Sequence, residues 1–447
     1  MTVIPGASGA GRLSLGLTAK TGSESARSIG PILKNLKRGI KIMQTTTTTA
    51  KTTVTTANLK AAISRLKDVI NPKSSIPILG CYHVETLPDG ALLMRAGDLE
   101  ASAQTVIPGN TDGGALALAV EAGALGKLAA ALPGNGAEVT LSTPKDYDEI
   151  LLESGGAEYR LAGFDPMDYP AAAPADSRTL AQTLLYAPDI KSAIGRALVA
   201  IPQRDPRAFL IGGLVEITPD GVWLTATSAK ILYRGKVGRM LPDISPAAPV
   251  ETVQAIIPLN LLKIVHRQIK GRNPAPIMLS ILESDSSESG KVRAVQFKFA
   301  DGTVYRQGAV RGTYPDYNRI IPQEFENEFT MDRAGLLATL AASKAYWGED
   351  HNGVKFTTGA DSVYVAATEN PSVGLFGKSL DAITGETPTG AEIAFNGAHL
   401  ERILKPLDCK RVVCRFNKPK YPAVWKAADG GAGVDFYVAA PTRVTKE

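Results

Sequence analysis

Catalysis needs acids, bases or ligands that converge, and the residues best suited to it are sparse here. The four histidines, His83, His266, His351 and His399, lie far apart and show no HExxH or Cys/His spacing. The cysteines, Cys81, Cys409 and Cys414, form no CxxC pair, so neither a disulfide framework nor a zinc cluster is signalled and a reducing compartment is expected. Gly377-Lys378-Ser379 has the ending of a phosphate-binding loop, but Ser372 stands where such a loop needs its first glycine. No catalytic, metal or cofactor set emerges. The chemistry that does stand out is charge. Lys263, His266, Arg267, Lys270 and Arg272 crowd one segment. On a helix, Lys263, His266/Arg267 and Lys270 fall at i, i+3/i+4 and i+7, one exposed cationic stripe suited to phosphate. Lys60, Lys67, Lys127, Lys191, Arg196, Arg333, Arg402 and Lys405 are candidates of the same kind on other helical segments.

The overall charge does not by itself point to nucleic acid. Of the net +5, residues 1–42 hold Arg12, Lys20, Arg27, Lys34, Lys37, Arg38 and Lys41 against Glu24, a local +6 that leaves about −1 for the remainder. Any nucleic-acid contact must come from a local cluster. The first 50 residues are rich in Gly, Ser and Thr, lack aromatics and end in the run Thr45–Thr49, so they are expected to be disordered. They read as a transit peptide, as a basic arm, or as an upstream extension with Met43 as the true start. With 447 residues and 44% hydrophobic content, the chain has material for two to four domains. No apolar run reaches the roughly 18 residues of a membrane helix, and no secretory h-region opens the chain. A cytoplasmic, nucleoid-associated protein without membrane contact is expected.

The elements that must carry these charges repeat. Three strand-to-helix segments align: ALAVEAGALGKLAAALP, AIIPLNLLKIVHRQIK and IAFNGAHLERILKPLD. Leu125, Leu262 and Leu400 correspond, as do Leu128, Val265 and Ile403, and Leu132, Ile269 and Leu407, at offsets of 137 and then 138. Apolar positions at i, i+3 and i+7 mark one buried helical face in each copy. A hairpin also recurs: Cys81–Asp98 with turn LPDG, Leu214–Ser228 with turn TPDG, and Val354–Glu369 with turn TGADS. An amphipathic helix precedes each hairpin, at Asn58–Ile70, Asp189–Ile201 and Asp332–Trp347. The order implies three α+β units of two helices among antiparallel strands, bounded at 51–175, 176–322 and 323–444, with a tail at 1–50 and an extension at 445–447.

Specific strings then become recognisable. They are Ser74-Ser75-Ile76-Pro77-Ile78-Leu79-Gly80, Gly163-Phe164-Asp165-Pro166-Met167-Asp168-Tyr169-Pro170, and Tyr314-Pro315-Asp316-Tyr317-Asn318-Arg319-Ile320-Ile321-Pro322. Ala394-Phe395-Asn396-Gly397 and the run Phe436–Val444 complete the set. In this order and spacing, from about Thr53 to Val444, the chain resembles the bacterial DNA polymerase III beta subunit, the sliding clamp. The resemblance implies three tandem copies of the DNA-clamp fold, with two chains joined head to tail into a six-domain ring. It implies a non-catalytic processivity factor without cofactor. Its partners would be duplex DNA, the DNA polymerase III alpha subunit, the clamp loader, other proteins with clamp-binding motifs, and a second copy.

Carried over residue by residue, the resemblance puts Lys73 and the loop Gln203–Phe209 at the DNA, with Arg204 and Arg207 for phosphate and Phe209 for base stacking. An aromatic is common in the family where Ala208 stands. A peptide cleft would be lined by Leu210, Thr227, Leu232, Pro315, Arg319, Ile320, Val438, Pro441 and Arg443. At the dimer seam the strand Ala157–Ala162 would bring Tyr159 and Leu161 against Ala345, Tyr346 and Trp347. The cleft departs from the family pattern. Thr227-Ser228-Ala229-Lys230-Ile231-Leu232 lacks the usual acid, glycine and arginine, and Ala440 and Thr442 stand where methionines are common, so an altered peptide preference is expected, as for the polymerase of a plasmid or phage. The reading from another class is a clamp-fold protein that sequesters polymerase or loader without encircling DNA. It would keep the cleft and lose the seam or the charges.

Overall fold

The computed structural model of the chain describes residues 50–442, apart from 72–73, 135, 144–148, 171–176, 239–250, 272–274, 287–289, 349–351, 368–371 and 429–434. The expected tail with Met43 and the extension 445–447 lie outside the described residues. No described helix is long and apolar enough to cross a membrane.

Six α-helices are described: α1 (Thr56–Leu66), α2 (Ala122–Ala131), α3 (Ala187–Ala200), α4 (Leu259–Gln268), α5 (Arg333–Ser343) and α6 (Gly397–Leu404). The repeat read from sequence holds to the residue in α2, α4 and α6, whose N-caps are Glu121, Pro258 and Asn396, again 137 and 138 apart. Each follows directly on a strand, at Ala117–Glu121, Val253–Pro258 and Glu392–Asn396. Glu121 and Asn396 satisfy orphan N–H groups with their side chains, whereas Pro258 has no such group to offer. Two expected helices run shorter: α1 gives way to a 3-10 turn at Lys67–Val69, and α5 to one at Lys344–Tyr346. Apolar spacing persists through a tightened last turn, so the pattern overshoots the α-helical end.

The three hairpins form as expected, pairing Cys81–Thr86 with Leu92–Gly97, Gly212–Thr218 with Gly221–Thr227, and Gly353–Thr358 with Ser362–Ala367. Each is followed by a further strand, Ala101–Ile107, Ile231–Lys236 and Gly377–Ile383, which in the first two repeats receives a neighbour from the next repeat. Each repeat ends in a closing strand: Ala157–Phe164, Val304–Gly308 and Phe436–Ala439. The closing strand of the second repeat pairs with the receiving strand of the first, from Val304 opposite Gln104 to Gln307 opposite Ala101. That of the third pairs with the receiving strand of the second, from Phe436 opposite Arg234 to Ile231 opposite Ala439. Two long antiparallel sheets, of 13 and 12 strands, therefore run across the repeat boundaries.

The helices form a row in the order α2, α1, α4, α3, α6, α5. Within repeats they pack in pairs, and α3 packs on α6. Between α1 and α4, Arg267 pairs with Asp68 at 2.6 Å and Gln268 donates to the Ser64 carbonyl at 3.1 Å. Leu59, Ala62, Ile63 and Leu66 of α1 and Leu261, Leu262 and Val265 of α4 are buried beneath. Removing the side-chain cap in Asn396→Ala should lower unfolding free energy by about 1 kcal/mol. Urea unfolding reads this as a lower midpoint at unchanged slope; an unmoved midpoint would show the cap to be dispensable.

Candidate functional site

The joins between repeats share a side-chain lock that the sequence reading missed. Tyr305, on the second closing strand, donates its hydroxyl to the Arg65 carbonyl of α1 at 2.9 Å, while Arg65 pairs with Asp301 at 2.9 Å. One repeat later Tyr437 donates to the Arg196 carbonyl of α3 at 3.0 Å, while Arg196 pairs with Asp435. Burial pushes both phenols up, so they stay protonated donors. Arg65 and Arg196 each stand ten residues past their helix N-caps, Thr55 and Tyr186. That shared position, with a tyrosine at the same place in each closing strand, was the available signal. Ten residues past the α5 N-cap, Asp332, stands Ala342, exposed and without the arginine; the first closing strand offers Tyr159.

Much of the expected cationic face is committed to other work. Arg196 belongs to the lock, and Arg267 is held by Asp68. Lys60 caps α2 through the Leu132 carbonyl at 2.7 Å, Arg333 reaches the carbonyl of Leu404 at the end of α6 and that of Cys409 beyond it, and Arg402 donates to the Val199 carbonyl near the end of α3. Cations at helix C-termini complement the dipole and its orphan carbonyls, which is why the row coheres. Lys405 pairs with Glu401 at 2.8 Å. The expected stripe on α4 is also shorter than its spacing implied, because the helix ends at Gln268 and Lys270 lies beyond it. His266 turns toward Gly195, and burial first, then Lys191, lowers its pKa, so it adds no charge near neutrality.

Lys263 lies beside the expected DNA loop and donates to Gln203 at 2.6 Å. In that loop Arg204 is exposed, whereas Arg207 is held by Asp205 through two bonds of 2.9 and 3.0 Å. The Arg207 contact holds the Asp205 carboxyl down at about 2. Arg207 thus meets a local carboxylate, and as a phosphate contact it would have to exchange this exposed pair. Phe209 is a correction: its ring is half-buried in the cleft cluster, 3.4 Å from where a side chain on Gly312 would begin. Lys73 and Arg272 lie outside the described residues.

The expected cleft straddles the second join, where Leu232 and Val438 are directly paired. Both are buried in a cluster with Leu214, Ile256, Tyr314, Tyr317 and Val424, and Leu210 and Thr227 are buried as well. They make a closed floor. Pro315 is half-buried beside them, Ile320 is 41% exposed, and Arg319 pairs with Asp316 at 3.0 Å on the surface. Pro441 is half-buried, and Arg443 lies outside the described residues. The altered segment carries a backbone signature: Ala229 has φ 64°, the one non-glycine among the described residues in the left-handed region. Thr227 holds it there, accepting from the Ala229 N–H at 3.2 Å and donating to the Ile231 carbonyl at 3.0 Å.

At the expected seam, Ala157–Ala162 pairs only with the strand Glu149–Ser154 among the described residues. Tyr159 and Leu161 are half-buried on one face of it. Ala345 is exposed, and Tyr346 packs on Phe376 with ring centroids 5.5 Å apart. Trp347 turns inward against Gly397 and Val354, correcting its place at the seam. No group of three or more metal-ligating side chains forms among the described residues. Burial pushes the Cys81 thiol up to about 12 and the Cys414 thiol well above its usual value, so both are inert. Gly377-Lys378-Ser379 lies in a strand, not a phosphate loop.

Three repeats joined strand to strand over one row of helices define the architecture of a DNA clamp. Residues 50–173 match the profile of the DNA polymerase III beta subunit, N-terminal domain. The beta sliding clamp of Staphylococcus aureus is 26% identical over 378 residues, covering 81% of this chain and 93% of that protein. That of Staphylococcus epidermidis is 26% identical over 392 residues, covering 82% and 93%. Among solved structures, the DNA polymerase sliding clamp of Bacillus subtilis aligns with TM-score 0.77 at 18% identity, over 89% of this chain and all of that one. The sliding clamp of Bartonella birtlesii, solved bound to griselimycin, aligns with TM-score 0.74 at 22% identity, over 88% and 99%. The chain is thus similar to bacterial beta sliding clamps along most of its length, and the likeness to that family's model is confined to residues 50–173.

The left-handed alanine gives a direct test of the altered cleft turn. Ala229→Gly should raise unfolding free energy by about 1 kcal/mol, since a left-handed L-residue costs roughly that much. Thermal unfolding measures it, and a lowered Tm would show that Thr227 and the turn fully compensate the strain.

Proposed function

We propose that this chain is a DNA sliding clamp, a non-catalytic processivity factor built of three clamp domains at about 51–175, 176–322 and 323–444. Two copies close head to tail into a six-domain ring around duplex DNA. The ring tethers the DNA polymerase III alpha subunit, is handled by a clamp loader, and serves other proteins carrying clamp-binding motifs. The observation that carries this reading is the strand join that recurs at both internal junctions and leaves one donor and one acceptor over. The leftover donor is the closing strand Ala157–Phe164, and the leftover acceptor is the receiving strand Gly377–Ile383.

The repeat also supplies a register for the missing join. Cys81, Gly212 and Gly353 correspond, because each pairs with the N-cap residue of its repeat's second helix. Following the ladders across each hairpin aligns Gln104, Arg234 and Gly377. Val304 faces Gln104 and Phe436 faces Arg234, so Glu158 of one copy should face Gly377 of another, and Tyr159 should face Phe376. Tyr159 would then reach the Ala342 carbonyl as Tyr305 and Tyr437 reach theirs. Tyr346, already on Phe376, would border it, which supports the expected contact of Tyr159 with Ala345 and Tyr346. Leu375, 73% exposed, would be covered. The arginine–aspartate pair has no counterpart there, which favours this junction as the one that opens for loading.

Inside the ring, Lys67, Lys127, Lys191, Arg204, Lys263 and Lys270 are the cations left for phosphate, with Lys73 and Arg272 as further candidates. Lysine-rich, base-blind contacts suit a protein that must slide. The cleft at the second join is the reading for peptide capture, with Leu210, Leu232 and Val438 as floor and Pro315, Arg319, Ile320, Pro441 and Arg443 around it. Capture would require the buried floor to open, and the changed turn at Ala229 favours a peptide preference different from that of other clamps.

Two experiments test this. The clamp should be retained on nicked circular DNA after loading and released when the circle is cut; equal retention on linear DNA would exclude encirclement. Tyr159→Glu with Leu161→Glu should convert dimer to monomer in light scattering, and an unchanged dimer mass would remove the proposed seam.

A further inference from the structure

The repeat that produces the peptide cleft at the second join produces a counterpart at the first. There it has become a different kind of site. A cavity of about 890 Å³ opens between the first and second repeats. Its lining corresponds position by position to the expected cleft. Leu79 stands two residues before its hairpin, as Leu210 does, and Gly97 ends the second hairpin strand, as Thr227 does. Ser102 and Arg306 pair across the sheet join, where Leu232 and Val438 pair in the other cleft. Tyr169 and Pro170 form a wall, as Tyr314 and Pro315 do.

The two substitutions at the floor explain why this groove is open. Leu232 and Val438 fill the second cleft with touching aliphatic side chains, whereas Ser102 is too short to fill the first and Arg306 replaces packing with charge. The apolar patch beneath shrinks to Ile78, Leu79, Cys81 and Ala119, with Phe164 and Tyr169 packed against it. Arg306 is half-buried, and burial lowers its pKa. Among the described residues its hydrogen bond is to Ser177 Oγ at 2.8 Å, and no carboxylate lies within ion-pair range. A half-buried guanidinium without a counter-ion is costly, and an arriving carboxylate removes that cost through paired, charge-assisted bonds. The nearby acids among the described residues do not supply it. Asp98 accepts from the Glu100 and Ala101 N–H groups at 2.8 and 2.7 Å, and Glu100 is exposed at the rim.

We infer that the groove at the first join is a second peptide-binding site, selective for an extended segment with a carboxylate that pairs with Arg306 and an aliphatic side chain that rests on Leu79. This goes beyond the proposed clamp function: it requires the first join and its groove, not the ring or the second cleft. A ring carrying it would hold two partners of different chemistry on one protomer, an arrangement in which tethering multiplies effective concentration.

Fluorescence anisotropy on the full chain tests it with two labelled, end-blocked peptides, Ala-Leu-Glu-Leu-Ala and its twin with Gln for Glu. The acidic peptide should bind about tenfold or more tightly than its twin, the size of one charge-assisted contact. Arg306→Met should erase the difference, Arg306→Lys should restore part of it, and Ser102→Leu should block binding by filling the groove. Leu232→Glu, which disrupts the second cleft, should leave the difference intact. Equal affinity of the two peptides, no saturable binding of the acidic one, or a preference lost in Leu232→Glu but kept in Arg306→Met would each overturn the proposal. A failure of encirclement with this preference intact would overturn the ring and spare the groove.

Discussion

The structure depends on one constraint: a β-strand edge must be paired, and the first and second repeats each pair an open edge with the closing strand of the repeat that follows. Backbone hydrogen bonds are indifferent to side-chain identity, so this join survives wide sequence divergence, as the fold match at low identity to solved clamps illustrates. What side chains add is registry. Tyr305 and Tyr437 seat the strands against helices α1 and α3, and the Arg65–Asp301 and Arg196–Asp435 pairs fix them. Three repeats with two internal joins leave one edge of each kind, and the proposed dimer would pair them between copies without requiring any new type of interaction.

The helices obey a similar economy. The proposed function would need positive charge facing DNA, yet Lys60, Arg333 and Arg402 direct theirs to carbonyl groups near the ends of neighbouring helices. With the Arg267–Asp68 pair and the packing of α3 on α4, these contacts tie six short helices of 8 to 14 residues into a row that none could stabilise alone. The cations that remain are dispersed and mostly exposed. Under the proposed function such a distribution would suit weak, base-blind, sliding contact better than a tight patch.

The fold was largely legible in the sequence, and for a definite reason. Apolar periodicity and Asp-Gly turns are local signals, and the offsets of 137 and 138 between Leu125, Leu262 and Leu400 carried over unchanged to the helix caps Glu121, Pro258 and Asn396. The site was only partly legible, because its chemistry depends on partners distant in sequence. Nothing near Arg267 announces Asp68, and nothing near Phe209 announces Gly312. Arg207 was the exception: its partner Asp205 lies two residues away and was visible in the sequence. Lys270 was misplaced for another reason, since apolar spacing runs on past a helix end that only backbone geometry fixes. The groove at the first join was hidden because it is recognisable only by superposing repeats and asking where Leu232 and Val438 have become Ser102 and Arg306.

The central claim is that the join between copies repeats the joins within one. A chain carrying both Ala157→Cys and Lys378→Cys tests it most directly, because the register places these two positions opposite each other across copies. The account predicts rapid disulfide formation under mild oxidation, giving a covalent dimer on a non-reducing gel, with neither single variant cross-linking. A double variant that stays monomeric on that gel, while still dimeric in solution, would contradict it.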